Sequence, residues 1–289
     1  MACTKVGILV NSARTEALEF AKQVVIWLEE RGVAVCIEAS AAQHIGCKEL
    51  SCSEAELGST DLIITLGGDG TILTASHVAA PKGVPILGVH MGHFGFIAET
   101  HPGDLLPHLD EVLEGRAAIE ERMMLRGEVI RAGNIVYSAV GLNDVVLTQG
   151  TVARMMLLET WFGGEEIATY AADGVIVATP TGSTAYALSA GGPLVEPTVR
   201  ALLVVPICPH TLSARPLVIP CDETVSVTLR FERGKALFSA DGGTAFPLEP
   251  GDRVDVRRAE FTTMLITLGH ASFYRKVRNR LLWAERLNA

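Results

Sequence analysis

Four apolar runs stand in the first part of the chain: "KVGILV" (5–10), "VAVCIE" (33–38), "DLIITL" (61–66) and "VPILGV" (84–89). Helix-like patterns separate them. Residues 15–31 put Leu18, Phe20, Ala21, Val24, Val25 and Leu28 on one face, with Gly32 placed to end the helix. A second helix is expected from about Thr71. Short apolar runs alternating with helices close only as βαβ units around a parallel sheet. In such sheets ligands sit beyond the carboxyl ends of the strands.

After about residue 100 the pattern changes. Alternating stretches such as "GEVIRAGNIVYSAVGLNDVVLT", "VARMMLLETWFGGEEIATYAADGVIVAT" and "VSVTLRFERGKALFSADGGTAFPL" are punctuated by Ala-Gly-Asn, Gly-Gly, Arg-Gly-Lys and Asp-Gly-Gly. Those are hairpin signals, so this half is expected to be β-rich and largely antiparallel. A final segment, "SFYRKVRNRLLWAERL", carries Phe273, Val277, Leu281 and Leu282 broadly on one helical face. The expected fold class is α/β. A Rossmann-like N-terminal domain would take residues 1–100 and the helix 270–289, and a β-rich, β-sandwich-like domain 101–269. A cleft between them is expected.

Charge and length narrow the function. The chain has 24 basic and 33 acidic residues among 289, a formal net charge of −9. That argues against a nucleic-acid partner, which needs a basic face. No apolar run is long enough to span a bilayer, and "MACTKVGILVNSARTEA" reads as a first strand rather than a leader. The six cysteines lack the paired spacing of a zinc site, with Cys47 and Cys52 the close pair. The eight histidines show no metal pattern. These features point to a cytoplasmic protein with no resident metal.

The third run feeds "GGDGT": Gly67, Gly68, Asp69, Gly70 and Thr71. Glycines let backbone amides approach phosphate oxygens, and a following helix adds its positive N-terminal end. Asp69 could then take a proton from an attacking hydroxyl or hold a divalent cation. A plainer reading makes Asp69 the helix cap. Neither a G-x-x-x-x-G-K-[ST] loop nor a G-x-G-x-x-G after the first strand is present.

A second stretch, "DGVIVATPTGSTAYALSAGGPLV" (173–195), runs from a strand into four Ser/Thr within six residues, then a helix-like run. Hydroxyls, helix amides and Tyr186 could grip the sugar and phosphates of a nucleotide. An N-capped helix is the plainer reading here too.

Taken in order, GGDGT, "GVHMGHFGF" (88–96), "LND" (142–144) and "DGVIVATPTGSTAYALSAGGPLV" resemble the NAD kinase family over nearly the whole chain. GGDGT is shared with lipid kinases and has a relative in phosphofructokinases, so the specificity of the likeness comes from TPTGSTAY. The resemblance implies phosphorylation of the adenosine 2′-hydroxyl of NAD by ATP with a divalent cation, Mg²⁺, and no tightly bound prosthetic group. It implies Asp69 as the catalytic base, with Gly67, Gly68, Gly70 and Thr71 forming the phosphate loop. NAD contacts would come from Asp69, Gly70, Phe96, Asn143, Asp144, Arg154, Asp173, Thr181, Thr184, Ala185, Tyr186 and Ser189. His93 would stand near the pocket, and His210 in a loop near the active site. A homodimer or homotetramer is implied as well. The sequence departs from the family pattern at His90, where many members have Asn, at Ala171, where some have Arg, and at Gly243, where some have Gln. A lipid kinase and a catalytically silent NAD sensor are the rival readings. The phosphoryl donor could also be another nucleoside triphosphate or polyphosphate.

Overall fold

The structure, a computed structural model, describes residues 3–92, 95–98, 100–150, 156–230, 235–269 and 272–281. Its contacts divide the chain into two units: Met1–Glu121 with Thr262–Ala289, and Arg122–Phe261.

The first unit opens with β1 (Lys5–Val10), α1 (Thr15–Glu29), β2 (Ala34–Glu38), α2 (Ala39–Ile45), β3 (Ser51–Cys52) and α3 (Glu54–Leu57). It continues through β4 (Leu62–Gly67), α4 (Asp69–Ala79), β5 (Ile86–His90) and α5 (Pro102–Leu113). The strands pair in parallel in the order β5-β4-β1-β2-β3. The chain therefore builds outward from β1 to β3, then jumps back past β1 to add β4 and β5. The reversal falls between β1 and β4, the place where open α/β sheets form a crevice. Helix α1 buries Ala17, Ala21, Val24, Val25 and Leu28 in a core shared with Val6, Ile8, Ile37 and Ile64. Gly32 has φ of +72°, the left-handed conformation expected of a residue ending that helix.

Helix α5 is the element that the sequence reading passed over. It buries Leu105, Leu109, Val112 and Leu113, yet it starts at a proline and carries Pro107 inside. Two prolines so close together read as loop, but one lies in the first turn, where its missing N–H costs nothing. This helix carries the first unit to Glu121 instead of ending it at residue 100.

The second unit contains β6 (Ala118–Arg131, beginning in the first unit), β7 (Asn134–Gly141), β8 (Asp144–Gln149), β9 (Met156–Phe162), β10 (Glu165–Ala172) and β11 (Gly174–Ala178). After the four-residue helix α6 (Tyr186–Ser189) come β12 (Ala201–Ile207), β13 (Leu217–Pro220), β14 (Val225–Arg230), β15 (Ala236–Ala240), β16 (Phe246–Leu248) and β17 (Arg253–Thr267). Strand β17 begins in this unit and ends in the first, followed there by α7 (Phe273–Leu281).

One antiparallel sheet has the order β13-β12-β11-β8-β15-β16. A second runs β10-β9-β14-β17, with β6 paired to β17 and β7. Their inner faces meet in one core: Val145, Val175, Val177 and Phe238 from the first pack with Leu158, Val227 and Val256 from the second. This is the expected sandwich. In β11 the alternate residues Ile176 and Ala178 point the other way, into a smaller cluster with Leu203, Val205 and Ala187 of α6. A strand covered on both faces reads as a continuous apolar run, which is why "GVIVA" shows no alternation.

Candidate active site

The three glycines of the GGDGT loop do different things. A side chain at Gly67 would stand 2.0 Å from Thr71 Oγ1, so only glycine fits there. A side chain at Gly68 or Gly70 would meet nothing within 4 Å. At those two positions the missing side chain leaves bare backbone facing open space. The Gly68 N–H points to Thr71 Oγ1 at 3.4 Å, fastening the loop to the first turn of α4.

Asp69 is the first residue of α4, and its side chain does not cap the helix. Its carboxylate instead accepts the N–H groups of Phe96 (2.7 Å, Oδ2), Ile97 (3.1 Å, Oδ1) and Ala98 (3.0 Å, Oδ1). A carboxylate offers about four lone-pair positions, and these amides engage three of them. Close contact at Gly95 makes this possible: a Cβ there would lie 1.7 Å from Asp69 Oδ1. Helix α7 grips the same segment, with Lys276 Nζ donating to the Phe96 carbonyl at 3.1 Å and the Arg280 guanidinium 5.4 Å from the Phe96 ring centre. Phe96 is thus held by its amide, its carbonyl and its ring.

A cavity of about 490 Å³ opens where β1, β2 and β4 end, lined by Asn11, Ser12, Arg14, Glu38, Ser40, Gly68, Gly70, Thr71 and Thr74 among others. It sits at the β1/β4 reversal and is lined by amides, hydroxyls, one guanidinium and two carboxylates, Glu38 and Glu54. Arg14 is anchored there by donating to the Met91 carbonyl. His90, at the end of β5, is buried, with Nδ1 3.2 Å from the Gly92 carbonyl oxygen. Burial holds its imidazole below the ordinary value and so favours the neutral form. Among the described residues, no three His, Cys, Asp or Glu side chains gather to hold a metal ion.

In the second unit the site residues gather on one turn. Leu142, Asn143 and Asp144 lead into β8, beside the end of β11, where Ala178 pairs with Asp144. Thr179 clamps this turn: its N–H donates to the Asn143 carbonyl (2.8 Å) and its hydroxyl to the Leu142 carbonyl (2.6 Å). A side chain at Gly182 would stand 2.0 Å from the Asn143 carbonyl oxygen, so the turn and the TPTGST segment are in direct contact. Asn143 is 9% exposed and its buried Oδ1 has no hydrogen-bond partner among the described residues. Asp144 is 4% exposed, and burial together with the neighbouring Asp241 pushes its carboxyl up to about 7.

The hydroxyl-rich segment splits in two. Thr179 and Ser183 are buried and spent on the fold, Ser183 exchanging hydrogen bonds with the Val195 backbone (3.0 and 3.1 Å). Thr181 is buried and accepts from Arg122 Nη1 at 3.4 Å. Thr184, Ala185, Tyr186 and Ser189 have surface to offer, Tyr186 being 44% exposed. The helix expected here is only a 3₁₀ turn, Thr181–Thr184, and the four residues of α6. The N-cap residues Pro180 and Ala185 make no side-chain cap bond, but the Thr179 hydroxyl accepts the Gly182 N–H at 3.0 Å, so capping accounts for one of these hydroxyls.

Asp173 is not brought to this turn. It precedes β11 and pairs through its backbone with Gln149 and Ile207. At ~3.3 Å per residue along a strand, it lies roughly 20 Å from Thr179. His210 is exposed and donates its N–H to the Ala171 carbonyl (2.8 Å). Gly243 follows Asp241 in the turn after β15. Arg154 and His93 lie outside the described residues. Sequence reasoning missed Arg122, Asp241 and Lys276. Cys47 and Cys52, close in sequence, are both free thiols; the Cys52 thiol donates to the Ile37 carbonyl at 3.4 Å, and burial first, with the neighbouring Cys36 thiol second, pushes it up to about 12.

Models of two domains match the chain: the ATP-NAD kinase N-terminal domain over residues 6–117 and the ATP-NAD kinase C-terminal domain over residues 142–268. The chain belongs to the NAD kinase family. An NAD kinase of Symbiobacterium thermophilum is 45% identical, the match covering 96% of this chain and 98% of that one. The NAD kinase of Heliobacterium modesticaldum is 43% identical over the same shares. Among solved structures, yeast NADH kinase complexed with NADH superposes with a TM-score of 0.91 at 28% identity, covering all of this chain and 91% of that one. An NAD kinase from Archaeoglobus fulgidus in complex with ATP shares the fold, with a TM-score of 0.73 at 24% identity and 96% of each chain covered. The protein is accordingly an NAD kinase enzyme, and the two motifs that carried the resemblance stand one in each unit.

Proposed function

We propose that this NAD kinase transfers the γ-phosphate of ATP to the 2′-hydroxyl of the adenosine ribose of NAD, giving NADP. One observation carries the reading: a single carboxylate, Asp69, stands at the start of a helix directly after bare glycine backbone that opens into a cavity. Gly68 and Gly70 leave room for phosphate oxygens to approach, and the α4 N-terminus favours their negative charge. Asp69 has one acceptor position left after its three amides, enough to take the proton of one attacking hydroxyl. Phosphoryl transfer depends mainly on positioning and charge stabilisation; a general base adds about 10²–10⁴-fold. A magnesium ion bound with the triphosphate would neutralise its charge, with Glu38 and Glu54 of the cavity lining, and Asp69 between the lining residues Gly68 and Gly70, the acidic groups near it.

Dinucleotide recognition is assigned to the second unit. Asn143 can donate and accept toward a base or ribose, and Asp144 accepts from sugar hydroxyls. Thr184, Ala185, Tyr186 and Ser189 supply surface around them. Asp173, Arg154 and Phe96 are retained as proposed NAD contacts from the family likeness. Catalysis in the cytoplasm by a homodimer or homotetramer completes the reading.

The test is product chemistry. Incubating the enzyme with NAD, ATP and Mg²⁺ should give a new ³¹P phosphomonoester signal from the adenosine 2′-position. 2′-Deoxy-NAD should bind and compete but gain no phosphate. Phosphate at another position, or a labelled lipid instead of NAD, would overturn the proposal. The likeness to an NADH kinase favours running NADH as an alternative acceptor, and polyphosphate as an alternative donor, in the same assay.

A further inference from the structure

We propose that Asp241 is a positioning residue of the dinucleotide site, holding the turn that presents Asn143 and Asp144. The proposal rests on the reading that this turn binds NAD. Asp241 follows β15, and its carboxylate accepts three successive amides: Leu142 at 2.7 Å, Asn143 at 2.8 Å and Asp144 at 3.1 Å. Its own N–H donates to the Asp144 carbonyl at 3.0 Å. The carbonyl edge of the same turn is taken by Thr179. Both edges are therefore clamped, and the side chains of Asn143 and Asp144 remain for a ligand.

Two details mark the contact as built rather than incidental. Asp241 adopts φ of +50°, an uncommon conformation for a residue other than glycine. Gly141, one residue before the turn, has no room for a side chain: its Cβ would lie 2.8 Å from the Asp144 carbonyl oxygen and 3.0 Å from Asp241 Oδ1. Charge-assisted bonds to a carboxylate are shorter and stronger than neutral ones, so this side chain holds the amide edge of the turn as Thr179 holds its carbonyl edge.

The same arrangement sets a charge. Strands β11 and β15, which flank β8, carry no ionisable side chain. Strand β7 brings only Tyr137, stacked on Phe246. Arg122 of β6 donates to Thr181. Asp241 is the charged neighbour that acts on Asp144, adding to the effect of burial. Sugar hydroxyls donate best to the anionic form of Asp144. NAD affinity should therefore weaken as pH falls through about 7, and removal of the Asp241 charge should move that midpoint down.

The experiment compares the full-length wild-type enzyme with Asp241→Asn and Asn143→Ala. It reads KM for NAD, KM for ATP and the pH dependence of NAD binding by calorimetry. In Asp241→Asn the new amide turns an N–H toward amide donors, so KM for NAD should rise about tenfold or more while KM for ATP changes by less than about twofold. The pH midpoint should fall. An unchanged KM for NAD in Asp241→Asn, with a raised one in Asn143→Ala, overturns the positioning role and leaves the NAD-binding reading intact. An unchanged KM in both variants overturns the NAD-binding reading itself. If Asp241→Asn does not fold, Gly141→Ala decides, because its Cβ would press on the Asp241 carboxylate: a raised KM for NAD with KM for ATP unchanged supports the positioning role, and an unchanged KM for NAD overturns it.

Discussion

The amide nitrogen of Phe96 lies 2.7 Å from Oδ2 of Asp69, and the next two amides complete the hold on that carboxylate. The acid at the head of α4 is thus tied to the segment that follows β5. Asp69→Asn then does two things at once. It abolishes proton acceptance, and it sets an NH₂ group against amide donors. Turnover should fall by about two to four orders of magnitude. Gly95→Ala separates the two effects, because its Cβ would displace the Asp69 carboxylate while leaving the acid in the chain. If positioning matters, Gly95→Ala should lose at least about tenfold in turnover; steady-state kinetics with a circular-dichroism check of folding measure it. Retention of wild-type turnover by Asp69→Asn would remove Asp69 from the mechanism.

Asn143→Ala deletes the buried amide whose Oδ1 has no partner among the described residues. Losing one or two hydrogen bonds to NAD, at ~1–1.5 kcal/mol each, should raise KM for NAD roughly tenfold. KM for ATP should barely move. Gly182→Ala, which would press on the Asn143 carbonyl oxygen, should shift the same parameter. An effect confined to ATP would reverse the assignment of the two ligands.

Asp144 makes stability depend on pH in an unusual direction. Its carboxyl is raised to about 7 in the folded protein, against ~3.9 in an unfolded chain. Between those values the folded state holds a proton that the unfolded state has lost. This contribution to stability is complete below about pH 4 and declines as pH rises through 7. Differential scanning calorimetry without ligand should show wild type losing more thermal stability between about pH 5 and 8 than Asp144→Asn does. Parallel curves would show that Asp144 titrates in its ordinary range.

Phe238 tests stability apart from chemistry. It is fully buried between the two sheets of the second unit, edge-on to Tyr137 at 5.6 Å. Phe238→Ala should cost about 3–5 kcal/mol of folding stability, read from denaturant unfolding. A loss below about 1 kcal/mol would mean that this core refills the space.

Local chemistry made much of this protein legible in its sequence. The apolar runs at 5–10 and 61–66, the helical face of α1 and the glycine at 32 announce themselves through spacing alone, because period and turn preference act over a few residues. GGDGT and TPTGSTAY were legible for the same reason, each being one continuous loop. Only the tertiary structure decided where their side chains go. Asp69 was free to cap its own helix until the closing of the segment after β5 brought three amides to it. Thr179 and Ser183 read like their neighbours, yet the fold buries and spends them, while Tyr186 is left exposed. Asp173 sits in the same motif, but a strand carries it to the far end of the sheet. Asp241 looked like one residue of a hairpin turn. Its three amide partners lie 97 to 99 residues away, and no local pattern encodes a bond that exists only once two distant loops have met.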